Sequence, residues 1–384
     1  MKSKGKIDVI VLGGHVQGLG IVRAFAKKGM RVVVIDDTDF NLAKYSRYCV
    51  EFIKCQNSQL KELLLALKLN SDYNSSVVFP TNDFHVKLLS QLKEELNPQL
   101  ICAVDHWRKI EVFFSKALSY ELASSLSIEI AKTIQITSID DLSKIAVKFP
   151  CIIKPTVMHT FYARFKKKVI LCANFNELNN AMKLASSFFP LQELLIQEVI
   201  KGDGSCQYSV GVFAIEGEII RSVTTNRARQ HPIDFGNATT MAITCDNSEI
   251  LDISRKIMAQ TKYTGICEIE FKQDEVSGEF NFLEVNSRTW KWHSICQAAN
   301  VDLLGPYYEY LTRGEKKFDA QKQTSAYFIH QLTDLPTRLR MRFKGMNVVI
   351  PPRDYQKQNA VWDRTDQLPW FMEKIFLPYF LIKR

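Results

Sequence analysis

The chain reads as a doubly wound α/β domain over residues 1–106, then an α+β region with antiparallel sheets over 107–315, then a less periodic stretch over 316–384. Two observations predict this division. The first 106 residues alternate short apolar runs with amphipathic stretches, which is the pattern of parallel βαβ units. Beyond them, apolar runs come in neighbouring pairs joined by turn signals such as Glu216-Gly217, the pattern of hairpins.

In order, IDVIVL (7–12) is a buried-strand run, GGHVQG follows, and an amphipathic helix covers roughly 18–28 until Gly29 stops it. RVVVID (31–36) is a second strand. A helix near 58–68 leads to the strand SVVFP (76–80), TNDF opens a helix near 83–95, and LICAV (100–104) is a further strand. The second region begins with a helix near 109–125. CIIKP (151–155) is a strand, followed by a basic loop, the strand KVIL and a helix near 176–187. LLIQEVI (194–200) runs into the turn Lys201-Gly202-Asp203-Gly204. YSVGVFAI and EIIRSVTT form a hairpin, and a helix near 248–261 precedes ICEIEFK and FNFLEVN, with Gly278 in the turn between them. No internal repeat or low-complexity linker interrupts the chain.

Composition narrows the functional classes. The 384 residues, 46% of them hydrophobic, suffice for two or three cored domains. The net charge of +9 is dispersed apart from a run at Arg164, Lys166, Lys167 and Lys168. Dispersed charge suits anionic small molecules as well as nucleic acid, but no zinc-finger spacing, RNP-type motif or basic tail speaks for nucleic acid. Nine cysteines without CxxC spacing or a secretory signal predict reduced thiols and a cytoplasmic protein. No stretch reaches the ~20 apolar residues of a membrane span, so a membrane role is not expected. The tail LPWFMEKIFLPYFLIKR is broken by Pro369, Pro378 and Glu373, and reads as a docked tail or, alternatively, a membrane-surface contact.

Several residue groups carry chemistry. Gly13-Gly14-His15-Val16-Gln17-Gly18 approximates a dinucleotide fingerprint, with Asp36 where a ribose-binding acid would sit. His15 replaces the middle glycine, so a plain tight strand-to-helix turn is the favoured reading of the loop. The sharper signal is GICEIEFKQDEVSGEFNFLEVNSR (265–288). Glu268 and Glu270 share one strand face, and Glu284 and Asn286 share a face of the next strand. A turn at Gly278 would bring Glu270, Glu284 and Asn286 together as a hard oxygen cluster suited to Mg²⁺ with phosphate. Arg288 follows on the same face, placed to clamp a phosphoryl group. The alternative is a solvated hairpin face. Lys154 lies inside an apolar strand, where lysine is rare unless it meets an anion. Lys116 sits in an amphipathic helix. Gln197-Glu198-Val199-Ile200 ends a strand whose backbone is placed to read an adenine edge, with an acid nearby for a ribose; ordinary structure is the competing reading of each.

Taken in order, Lys116, Lys154, the QEVI strand and the ExEF…EVNSR hairpin resemble the ATP-grasp superfamily. More narrowly, FPTNDFHVKLL (79–89), RARQHPIDFG (227–236), EVNSRTWKWHSICQAANVDL (284–303) and AVWDRTDQLPWF (360–371) resemble its predicted carboxylate–amine ligase branch. The resemblance implies a pre-ATP-grasp domain (1–106), a small or lid subdomain (107–200), a core subdomain with the metal hairpin (201–315) and a C-terminal extension (316–384). It implies ATP and Mg²⁺ (or Mn²⁺) as cofactors. Glu270, Glu284 and Asn286 match the metal ligands, Arg288 the arginine on the transferring phosphoryl group, and Lys116 and Lys154 the lysines on the phosphates. Glu198 and Ile200 match the adenine hinge, and Asp203 is placed near the ribose. Asn286-Ser287-Arg288 departs from the usual Asn-Pro-Arg. The loop TVMHTFYARFKKK lacks the usual glycines, leaving His159 and the basic run to cover phosphate.

For the substrates, Arg227, Arg229 and His231 form a basic group. Arg229 is the preferred contact to a substrate carboxylate, against a solvated basic loop. Trp290, Trp292 and His293 are candidates to wall the same pocket. The expected activity joins a small-molecule carboxylate to an amine at the expense of ATP, in an oligomeric state left open, a homodimer included. The competing readings are a nicotinamide-dependent oxidoreductase built on 13–36 and a non-catalytic ATP-binding protein.

Overall fold

The computed structural model describes residues 5–156, 161, 164–167, 169–233 and 238–382. Three sheets organise them. The first is parallel: β1 (Val9–Leu12), β2 (Val32–Asp36), β3 (Cys49–Lys54), β4 (Ser76–Pro80) and β5 (Leu100–Cys102), in the spatial order β3-β2-β1-β4-β5. Central strands β1, β2 and β4 are wholly buried, hence their unbroken Val/Ile runs. Edge strand β3, half exposed and carrying Glu51 and Lys54, lacks that run and was not expected from the sequence.

The second sheet is small and antiparallel: β6 (Thr133–Ile134), β7 (Cys151–Pro155), β8 (Ile170–Cys172) and β9 (Leu194–Glu198), ordered β6-β9-β7-β8. Helix Phe175–Ser186 covers it, closing a separate core of Ile153, Ile196, Leu178, Met182 and Phe189.

The third sheet is the largest. β10 (Gln207–Ile215), β11 (Glu218–His231), β12 (Ala238–Thr244), β13 (Gly265–Gln273), β14 (Phe280–Asn286), β15 (Ala326–Ile329) and β16 (Gln356–Asn359) are ordered β14-β13-β10-β11-β12-β15-β16. Residues 316–384, weakly periodic in sequence, add β15 and β16 to this sheet. The first and third sheets share one core, in which Val9, Val11 and Phe79 pack with Phe213, Trp290, Tyr307 and Phe328. The phenolic ring of Tyr307 lies 6.1 Å from Phe79 and 5.3 Å from Phe213.

The single helix expected near 109–125 is two, Trp107–Phe114 and Lys116–Ser125. Ser115 separates them in an extended conformation, and its hydroxyl accepts the Leu118 N–H. Serine competes well for such a cap, so Lys116 opens a new helix. Among the described residues no helix is long and apolar enough to cross a membrane.

Candidate active site

The hairpin β13–β14 pairs Glu270 with Glu284 and Glu268 with Asn286 across neighbouring strands. A bulge after Glu270 shifts the register towards the turn and leaves these two pairs in phase. The Asn286 amide donates to Glu270 Oε1 at 3.0 Å and Glu268 Oε2 at 3.3 Å. Its own oxygen accepts from Arg288 Nη2 at 3.2 Å. Glu268 is 3% exposed, and its Oε1 has no partner among the described residues. Burial and then the charge of Glu270 push its carboxyl up to about 8.

Cations surround the acids. Lys116 Nζ stands 3.9 Å from Glu284 Oε2. Arg227, reaching over from β11, pairs with Glu270 and donates to Thr239 Oγ1 at 2.8 Å. Arg288 spans to the first domain, where its Nε meets Asp83 Oδ1 at 2.6 Å. Asp83 opens helix Asp83–Leu96, whose cap is the Asn82 side chain, so TNDF places a carboxylate against the hairpin arginine.

Lys154 enters from the small sheet. It is 6% exposed, and its ammonium donates to Tyr120 Oη and to Gln197 Oε1 at 2.8 Å. Burial, then repulsion from Lys116, lowers its pKa to about 7. Helix Lys116–Ser125 thus presents Lys116 to the acidic hairpin and Tyr120, one turn on, to Lys154. Gln197 is fixed in turn by Thr133 Oγ1 at 2.7 Å.

The other sequence-selected residues are placed differently. Strand alternation turns Glu198 away from Gln197; its carboxylate accepts the Lys148 N–H at 3.0 Å and lies 3.8 Å from Lys132. The Ile200 carbonyl accepts from Lys272 Nζ at 2.8 Å. Asp203 is exposed and accepts from the Ser205 N–H and hydroxyl. Arg229 does not join the acidic hairpin. Its Nε and Nη2 clasp Asp334 at 2.7 and 2.9 Å, with both side chains 2% exposed. This revises its reading as a substrate contact, because its donors are committed to a buried carboxylate. Trp290 and Trp292 are buried core side chains, and Trp290 lines a small cavity with Thr289, His293 and Ser294. His159 and residues 234–236 of RARQHPIDFG lie outside the described residues.

Four residues of the cluster were not selected from sequence for these roles: Tyr120, Gln197, Arg227 and Glu268. The signals were present only as spacing. Tyr120 is four residues past Lys116, and Glu268 is two before Glu270.

The loop at 13–18 closes on itself. Gly13 adopts φ +94°, and a Cβ there would meet Thr81 Oγ1 at 2.2 Å. The Gly14 N–H donates to Asp36 Oδ2 at 2.5 Å, so the acid expected near a ribose ties its own loop.

Among the described residues no three His, Cys, Asp or Glu side chains form a metal site alone. The donor set nevertheless fits a hard divalent ion. Glu270, Glu284 and the Asn286 oxygen supply part of a shell that phosphate oxygens can complete, and Glu268 Oε1, with no partner among the described residues, leaves one more oxygen acceptor beside them.

Residues 115–304 match the family described as carbamoyl-phosphate synthase L chain, ATP binding domain. The D-aspartate ligase of Enterococcus faecium (strain Aus0004) is 21% identical over 238 residues, covering 59% of this chain and 56% of the ligase. This chain therefore spans little more than half the length of that relative. The N5-carboxyaminoimidazole synthetase of Staphylococcus aureus superposes with a TM-score of 0.65 at 14% identity, over 92% of each chain. The biotin carboxylase domain of the Hydrogenobacter thermophilus 2-oxoglutarate carboxylase, in complex with MgADP, ADP and bicarbonate, gives 0.65 at 16% identity, over 84% of this chain and 73% of that one. Residues 115–304 thus carry the match to that ATP-binding family, and the chain shares the fold of these solved structures.

Proposed function

We propose that this protein is an ATP-dependent ligase that activates a small carboxylate as an acyl phosphate and joins it to an amine. The observation that carries the reading is the meeting of Lys116 and the buried Lys154 with the Glu270–Glu284–Asn286 oxygen cluster. Two cations on one side and hard oxygens on the other suit a polyphosphate held between them. The small-molecule ligase matched by sequence supports the same class.

In this reading Lys116 and Lys154 hold the phosphates. Lys154 has an ammonium already aimed by Tyr120 and Gln197. Magnesium or manganese, held by Glu270, Glu284 and Asn286, would neutralise phosphate charge. Arg288, steadied by Asp83, stabilises charge on the transferring phosphoryl group. The substrate carboxylate attacks the γ-phosphorus, the β–γ bridge breaks, and ADP leaves. The amine nitrogen then attacks the acyl carbon, phosphate departs, and the nitrogen loses a proton. The chain's share is positioning and charge neutralisation. Glu198, Ile200 and Asp203 remain assigned to the nucleotide's adenosine end, where Lys272 donates to the Ile200 and Gly202 carbonyls. A nicotinamide reading is disfavoured by the engagement of Asp36 with Gly14.

The deciding experiment measures ADP release with Mg-ATP across a panel of acids and amines. ADP formation that requires both an acid and an amine, with an amide product, is expected. Release that no acid–amine pair stimulates would overturn the reading.

A further inference from the structure

Helix Gln331–Phe343 is turned inside out. Its inward face carries Asp334, Thr337 and Met341, all buried. Its outward face carries Leu335, Leu339 and Phe343, which are 60%, 47% and 92% exposed. These recur at i, i+4 and i+8, a continuous stripe along one side. Ile350, just beyond, is 72% exposed. The stripe is a fixed feature: Asp334 is clasped by Arg229 and accepts from Thr240 Oγ1 at 3.0 Å, and Arg229 Nη1 also donates to the Val349 carbonyl. The helix and the chain after it are therefore pinned with their apolar side chains outward.

The stripe's own segment is positively charged, with Asp354 the first acid beyond it. Between 335 and 353 the chain carries Arg338, Arg340, Arg342, Lys344 and Arg353, and no Asp or Glu. An exposed apolar stripe on a soluble surface calls for a partner. Here the partner must accept protruding apolar groups and supply negative charge on both sides of them. A single helix face offers no groove to grip a partner's side chain, whereas a fluid interface moulds itself to a ridge.

We propose that this face docks the protein on an anionic lipid bilayer, with Leu335, Leu339, Phe343 and Ile350 entering the headgroup–acyl boundary and the arginines on lipid phosphates. A peripheral contact of this kind needs no spanning segment. It is independent of the ATP-grasp site, and none of its residues belongs to the acidic hairpin or the lysine cluster.

The test is co-sedimentation of the full chain with vesicles of phosphatidylcholine alone and of phosphatidylcholine mixed with phosphatidylglycerol. Binding is expected to the anionic vesicles only and to weaken with added salt. Phe343→Glu should weaken it more than tenfold at an unchanged melting temperature, and Leu339→Glu gives a second variant of the same stripe. Replacing Arg338, Arg340 and Arg342 by Gln should weaken binding about fivefold per arginine at low ionic strength. Absence of binding, equal binding to neutral vesicles, or full binding by both glutamate variants would overturn the proposal. A concentration-dependent dimer in sedimentation velocity that Phe343→Glu abolishes, without vesicle binding, would assign the stripe to a second copy instead.

Discussion

An ammonium group buried in an apolar strand destabilises the empty fold, and Lys154 shows how a binding site can store that cost until an anion arrives. Its pKa in the fold is lowered from the ordinary lysine value of 10.5 to about 7. Between those values the unfolded chain binds a proton that the folded chain has released, so stability rises with pH across the window. The limit is about 1.4 kcal/mol per pH unit. Lys154→Met should flatten the stability profile between pH 7 and 9 in urea melts and remove the stabilisation by Mg-ATP. A wild-type profile already flat over that range would contradict this account. Arg229 makes the opposite case. Both it and Asp334 are buried and mutually satisfied, so Arg229→Ala leaves a lone buried carboxylate and should cost about 3–5 kcal/mol. Replacing both partners with apolar residues should recover most of that loss. Mg-ATP stabilisation should survive in the double variant; its disappearance would tie the pair to the nucleotide site.

At the scale of elements, the proposed function assigns the chemistry to the hairpin β13–β14, and the segment after it carries the packing. Glu284 lies at the rim beside Lys116, with its side chain 44% exposed. Glu284→Gln should therefore keep the fold and lower turnover by about 100-fold or more, the scale of losing one electrostatic partner of a transition state. Near-normal turnover with an unchanged metal requirement would remove Glu284 from the metal site. Two residues past Arg288, Trp290 seats its ring on β10, where a Cβ on Gly211 would come within 2.2 Å of it. His293 Nε2 lies 3.0 Å from the Gln17 carbonyl in the first domain's opening helix. Gly211→Val should destabilise by about 1–3 kcal/mol through overpacking, read as a lower urea midpoint. A variant as stable as wild type would show that the indole can shift at little cost.

The whole molecule joins three bodies of structure at one site. Lys154 comes from the small sheet, the acids from the large sheet, and Asp83 from the parallel domain. On the proposed function, a nucleotide bound among them stabilises all three together. Mg-ATP at 100 times its Kd should stabilise by about 2.7 kcal/mol, with a smaller effect from GTP, whose base edge differs at the strand end proposed to read adenine. Equal shifts with both nucleotides in differential scanning fluorimetry would argue against the adenine reading of Glu198 and Ile200.

Local pattern determined much of this protein. Val/Ile runs specified β1, β2 and β4, because strands buried on both faces need no polar alternation. The spacing of Glu270, Glu284 and Asn286 about Gly278 specified a hairpin face, because a tight turn couples neighbouring strands in register. Long-range assembly decided the rest. Alternation along LLIQE separates Gln197 from Glu198 but does not say which one faces Lys154; pairing with β7 and β6 turned Gln197 inward. Arg227 and Arg229 share a strand face in the sequence pattern, yet the first meets Glu270 and the second Asp334, 105 residues further on. Edge strand β3 and the pair β15–β16 carry little apolar period of their own, and their place comes from the strands already waiting beside them. Periodicity is a property of neighbours a few residues apart, whereas the partner of a buried charge is chosen by whatever the folded chain brings within a few ångströms.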